Sequence, residues 1–148
     1  MYVVRSTAYM VPAREEVRAL QITATAISLN VPDVEASARF ATTHLGFTEA
    51  MSADGFVSLR HPSADLNVIF LRTGLPTFKP QEVAGAAGQG TLLVLVVDDL
   101  DAEFERIAAA GARVITSPET EPWGERFCQF GDDNGIVWQL VQWVSQPE

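Results

Sequence analysis

Few side chains in this sequence belong to types that carry covalent or proton-transfer chemistry, and their spacing limits what they can do. Cys128 is the single cysteine, so an internal disulfide and a multi-cysteine zinc site are both excluded. No histidine stands near it in sequence to take its proton, so it reads as a small strand residue rather than a nucleophile. The two histidines, His44 and His61, fall at an expected helix end and an expected hairpin turn, where a solvated imidazole is the ordinary outcome. Asp99, Asp101, Glu103 and Glu105 crowd the start of a helix, and the helix dipole and water account for them. Arg126, in the stretch WGER, can hold an anionic ligand or pair with a neighbouring carboxylate. No matched acid–base pair emerges.

The residue that points most directly to binding is Trp123. It lies in the turn-rich loop PETEPWGE, between Pro122 and Gly124 and beside Glu119, Glu121 and Glu125. A core tryptophan belongs within a strand, as Trp138 does. A loop tryptophan either seals the core as a lid or is offered to a flat ligand, for which stacking adds ~0.5–1.5 kcal/mol beyond area. A cationic ligand gains a cation–π contribution of similar size.

Composition narrows the partners. The 148 residues suit one compact domain, and at 47% apolar and 20% charged they can build a core without a disulfide. Ten basic against 19 acidic side chains leave a net charge of -9. A nucleic-acid partner is therefore not expected, because backbone affinity rests on Lys and Arg. No run reaches the ~18 apolar residues of a membrane span. The opening MYVVRSTAYMVPAREEV is broken by charges and does not read as a secretory signal. The expectation is a cytoplasmic, membrane-free protein.

The elements that must position these residues occur twice. ITATAISLNVPD reads as a strand, with Ile27, Leu29 and Val31 alternating against Ala26, Ser28 and Asn30. Asp33 then caps a helix whose stripe is Val34, Ala38, Ala41 and Leu45, and Gly46 stops it. GFVSLRHP and ADLNVIFLR read as strands around a Pro-Ser turn. The second pass opens with GTLLVLVVDD, whose unbroken apolar run predicts a strand buried on both faces. Asp99 caps a helix striped by Leu100, Phe104, Ile107 and Ala108, and Gly111 ends it. ARVITS is a strand, and RFCQF and IVWQLVQWV are two more around the turn GDDNG. The two capping aspartates are 66 residues apart, which suggests duplicated β-α-β-β-β units. Residues 1–21 are expected as an N-terminal arm, either packed on a partner subunit or frayed, and 22–148 as one domain, with module 1 about 22–75 and module 2 about 88–145. A parallel α/β sheet is the alternative, but no glycine-rich phosphate loop or second crossover helix accompanies it.

SLNVPDVEASARFATTHLGF, LVLVVDDLDAEFERIAAAGARV and PWGERFCQFGDDNGIVWQL resemble the vicinal oxygen chelate superfamily, which includes glyoxalase I, extradiol dioxygenases and bleomycin-resistance proteins. The chain departs from the family pattern at Ala41, where an aromatic often follows Phe40, and at Asp133, where proline is common. The resemblance implies an α+β fold of paired βαβββ modules curling a mixed sheet into a cup, helices outside, usually in a homodimer.

The resemblance also implies four strand positions that carry metal ligands in metal-dependent members. Here they are Ala26, Phe70, Leu92 and Gln139, with a one-residue slip as the alternative register for Phe70. Methyl, isobutyl and phenyl groups have no lone pairs to give, and one amide oxygen is too few for a catalytic ion. No metal and no other cofactor is expected. Alternation then puts Ser28, Asn30, Val68, Val94, Val96, Val137, Val141 and Trp143 on the cup side and packs Ile27, Leu29, Leu93, Leu95, Val97, Trp138 and Leu140 under the helices. Core packing is expected for Val68, Val94 and Val96, while Phe70 and Gln139 are open between lining and core. Ligand contacts are expected from Trp123, Phe70, Gln139, Ser28, Asn30, Leu92, Arg126 and Trp143. The function these imply is a metal-free binder of an aromatic or cationic metabolite or antibiotic. The alternatives are a metal-dependent lyase, isomerase or dioxygenase, a metal-free enzyme using Gln139, Arg126 or Cys128, and a partner module.

Overall fold

The computed structural model describes residues 19–87 and 89–144; most of the expected arm lies outside them. The chain folds as β1 (Ala26–Val31), α1 (Val34–His44), β2 (Thr48–Ala53), β3 (Phe56–His61) and β4 (Ala64–Arg72), then β5 (Leu92–Val96), α2 (Leu100–Ala109), β6 (Arg113–Thr120), β7 (Glu125–Gly131) and β8 (Val137–Trp143). Each unit makes a four-stranded mixed sheet, ordered β1-β4-β3-β2 and β5-β8-β7-β6. In both, the first strand runs parallel to the fourth. This is the α+β arrangement of paired βαβββ modules, helices outside the sheets.

The helices start and stop for the reasons their sequences suggest. Asp33 accepts from the Ala36 amide and Asp99 from the Ala102 amide, each at 3.2 Å, meeting one otherwise orphaned N–H per helix. Gly46 and Gly111 leave the helices at φ +80° and +97°, where a Cβ would be strained. Val34, Ala38, Ala41 and Leu45 are buried, as are Leu100 and Ile107.

One hydrophobic core joins both modules beneath the helices, running from Leu29, Phe47 and Phe70 to Leu93, Phe130 and Trp138. Phe40 stacks on Trp138 at 6.5 Å and Phe47 tilts against it at 5.7 Å. Beside this apolar contact lies a polar joint. Buried Asp132 accepts from Ser37 Oγ at 2.7 Å and from the Asn134 and Ile136 amides at 2.9 and 3.0 Å. The Asn134 amide group donates to the Asp33 carbonyl at 2.6 Å and accepts from the Asp33 N–H at 3.1 Å. The D-x-x-G turn thus fastens the second module to the start of α1.

Four expectations change. Strand β2, TEAMSA, was not expected from pattern, because all six of its residues are exposed and show no alternation. The loop PETEPWGE is partly strand: β6 continues to Thr120 with register shifts around Thr116, and Pro118 is tolerated because β6 is a sheet edge. β5 is not buried on both faces. It is also an edge strand, and Leu92, Val94 and Val96 are 46%, 47% and 65% exposed while Leu93 is buried. Finally, His61 is structural rather than solvated: its Nε2 donates to the Leu45 carbonyl at 2.8 Å and its Nδ1 accepts from the Ser63 amide, tying the end of α1 to the β3–β4 turn.

Candidate ligand-binding site

The faces of the two sheets that turn away from the shared core form the candidate site, and strand register assigns each residue to a face. In the second module, Trp143 lies opposite Glu125, Val141 opposite Phe127, and Gln139 opposite Gln129. Val94 and Val96 on β5 complete the Gln139 and Val141 rows. The central strand forms a floor, with Gln139 only 9% and Val141 only 2% exposed, and the β5 valines form an open rim. Val94 and Val96 therefore line the cup instead of packing in the core.

Two tryptophans stand at one end of this surface. Trp123 and Trp143 are 51% and 52% exposed. The Trp123 indole donates to Glu125 Oε1 at 2.9 Å, and the Val144 amide donates to the Gly124 carbonyl at 2.9 Å, closing the loop against the end of β8. Gly124 makes this turn at φ +92°. The result is an apolar surface with two available aromatic faces and a carboxylate between their strands, suited to a flat ligand that is neutral or cationic.

The middle of the floor is polar. Thr116 Oγ donates to Gln129 Oε1, and Gln129 Nε2 donates to Gln139 Oε1, both at 2.7 Å. Gln129, Thr116, Phe127 and Glu125 are site residues that pattern reading missed. Extending the hairpin register back from the GDDNG turn would have found Gln129 opposite Gln139.

Several expected ligand contacts lie elsewhere. Phe70 is fully buried and pairs in register with Leu29 and Val57, both core residues. The cup residues of β4 are instead Asn67 and Ile69, opposite Ala26 and Ser28. Hydrophobic burial decides the register: Leu66, Val68 and Phe70 are an apolar set, whereas the other phase contains Asn67. Arg126 points to the helix side, where it donates to Asp101 of α2 at 2.8 and 3.1 Å and to Thr120 Oγ1 at 2.9 Å. The hydrogen bond holds the Asp101 carboxyl below the usual carboxylate range and raises the guanidinium further. Asn30 is on the cup face, but its amide nitrogen donates to the Gly85 carbonyl at 3.2 Å, anchoring the linker. Ser28 of the first module and Leu92, Gln139, Trp123 and Trp143 of the second stand on or beside the cup face.

The remaining reactive groups are inert. Burial pushes the Cys128 thiol up to about 11, and the side chain is fully enclosed. The residues do not fit a divalent ion either. Ala26 and Leu92 have no donor atoms, the Gln139 oxygen is engaged by Gln129, and the Asn67 amide is turned to the Thr25 carbonyl at 3.1 Å. Among the described residues, no three His, Cys, Asp or Glu side chains cluster closely enough to hold a metal, and no helix is long and apolar enough to cross a membrane. A cleft of about 780 Å³ lies away from the tryptophans. It follows the free edge of β5 and is lined by Leu45, Phe47 and His61 from one module and Val94, Val96 and Arg106 from the other.

Comparison with known proteins agrees with this geometry. The sequence model of the Glyoxalase/Bleomycin resistance protein/Dioxygenase superfamily matches residues 21–140. A glyoxalase/bleomycin resistance protein/dioxygenase from Nocardioides has the same fold, with a TM-score of 0.67 at 24% identity over 89% of this chain and 91% of that one. TnmS3, an antibiotic binding protein from a Streptomyces species, superimposes with a TM-score of 0.65 at 25% identity, over 84% of this chain and 98% of its own. An uncharacterized protein of Mycobacterium bovis is 39% identical over 59 residues, 40% of this chain. That match spans 39% of the relative's length.

Proposed function

The chain belongs to the Glyoxalase/Bleomycin resistance protein/Dioxygenase superfamily, and from that membership we propose that it is a cytoplasmic, metal-free binding protein for a planar aromatic metabolite or antibiotic, neutral or cationic. The observation that carries this reading is the pair of exposed tryptophans, Trp123 and Trp143, at the end of a cup where two of the expected metal positions, Ala26 and Leu92, hold hydrocarbon and a third, Gln139, has its oxygen engaged. Glu125 and the net charge of -9 favour a cationic ring. The likeness to TnmS3 supports an antibiotic as the class of ligand. Sequestration works by mass action: a ligand held tightly is withdrawn from its target with no bond changed.

The cup is completed by a second copy. β1 and β5 are both sheet edges; the linker bonds to β1 through the Ala87 amide and the Asn30 carbonyl, whereas among the described residues the apolar rim of Leu92, Val94 and Val96 on β5 stands exposed beside the cleft. A homodimer that covers this edge gives each site walls from two chains.

Tryptophan emission titrated with proflavine, a planar cation, tests the reading. The expected result is saturable quenching with proflavine recovered intact. An absence of quenching by proflavine and by a panel of neutral aromatic natural products, or recovery of chemically altered ligand, overturns it.

A further inference from the structure

We infer that Gln129 orients the Gln139 amide so that its NH2 faces the cup, which makes the centre of the site a reader of an unprotonated oxygen, such as a carbonyl, on the ligand's ring. This rests on the aromatic-binding reading above and adds the polar half of the recognition.

Thr116, Gln129, Gln139 and Val94 form one row across β6, β7, β8 and β5. Within it the hydrogen bonds run in one direction, from the Thr116 hydroxyl to Gln129 Oε1 and from Gln129 Nε2 to Gln139 Oε1, each at 2.7 Å. The Gln139 oxygen is therefore occupied. On its other side the row ends in the isopropyl group of Val94, which offers neither donor nor acceptor. Among the described residues none accepts from Gln139 Nε2, which keeps contact with solvent although the residue as a whole is only 9% exposed. A donor on the cup floor without a protein partner selects for a ligand that brings an acceptor, because a ligand that covers it and lacks one displaces its water and leaves the N–H groups unmet. Gln129 and Thr116 are positioning residues, since they act on the ligand through Gln139.

Three tricyclic probes of one shape isolate this effect: 9-fluorenone presents a carbonyl, carbazole presents an N–H, and fluorene presents neither. Affinities are read from tryptophan quenching at neutral pH. The expected result is that fluorenone binds about tenfold more tightly than the other two, the effect of one added hydrogen bond. Gln129→Glu keeps the bond from Thr116 but cannot donate, so the Gln139 amide turns round and carbazole becomes the preferred probe. A merely structural role for Gln129 would not reverse the order. Gln139→Leu brings the three probes within about twofold of one another, because no polar group is left to read. Equal affinities for the unmodified protein, a carbazole preference there, or an unchanged order in Gln129→Glu each overturns the inference alone. If none of the three probes binds while proflavine does, this inference alone is overturned; if proflavine and the neutral aromatic panel fail as well, the aromatic-binding reading falls together with it.

Discussion

Ser37 Oγ lies 2.7 Å from Asp132 Oδ2 although 95 residues separate them. The contact joins the first turn of α1 to the turn before β8, so the relative position of the modules depends on it. Both side chains are almost fully buried.

Ser37→Ala is expected to lower stability by about 2 kcal/mol, the range for a hydrogen bond to a buried charged group. Asp132→Ala should cost more, because it also strands the Asn134 and Ile136 amides. Urea denaturation measures both. A shift in midpoint below the error of the fit for Ser37→Ala would remove the joint from the account.

Trp123→Ala and Trp143→Ala should each weaken proflavine binding by roughly 2–12-fold, the loss of one stacking partner. Arg126→Ala should change it less than about twofold, since a side chain turned away from the site acts on it little. Its guanidinium is on the helix side with Asp101. A larger effect from Arg126 than from the tryptophans would reverse this assignment of faces.

Cys128 gives a pH signature. Its thiol titrates at about 11 in the folded chain against 9.0 for an ordinary cysteine. Between those values the unfolded chain loses the proton while the folded chain keeps it, so stability falls as pH rises from 9 towards 11. Cys128→Ala should remove that part of the decline. At pH 8 iodoacetamide should label the native protein on the order of a hundredfold more slowly than urea-unfolded protein. Equal labelling rates would show an accessible, activated thiol.

Protein purified without chelator and analysed for transition metals should contain well below one ion per chain, since the cup offers scattered amides and the single carboxylate of Glu125 and, among the described residues, no cluster of three His, Cys, Asp or Glu side chains. A stoichiometric ion would restore the metal-dependent enzymes of the superfamily as candidates.

Val96→Asp should convert the proposed homodimer to monomer in sedimentation velocity while leaving the circular dichroism spectrum intact. The substitution puts charge on a 65% exposed rim residue of the β5 edge. A monomeric unmodified protein would mean that the open edge is not a subunit contact.

Much of the fold was readable along the chain because its signals are local. The capping aspartates, the helical stripes and the terminating glycines act within one or two turns, and they recur in both modules. The alternation of β5 put Leu93 under the helices and Val94 on the opposite face, but the unbroken apolar run hid that the Val94 face is exposed. β2 escaped because all six of its residues are exposed, so no apolar period of two marks it. The polar row escaped because Thr116, Gln129 and Gln139 meet only through strand pairing.

By itself the sequence determined the duplicated modules and their helix ends, since each depends on residue type and short spacing. Only the tertiary structure decided which face each strand turns to the cup. Phe70 went to the core with Val68 because the other phase of β4 carries Asn67, and Arg126 and Asn30 were drawn to Asp101 of α2 and the Gly85 carbonyl, partners that no local spacing reveals. That choice is made by what packs against the sheet from distant parts of the chain.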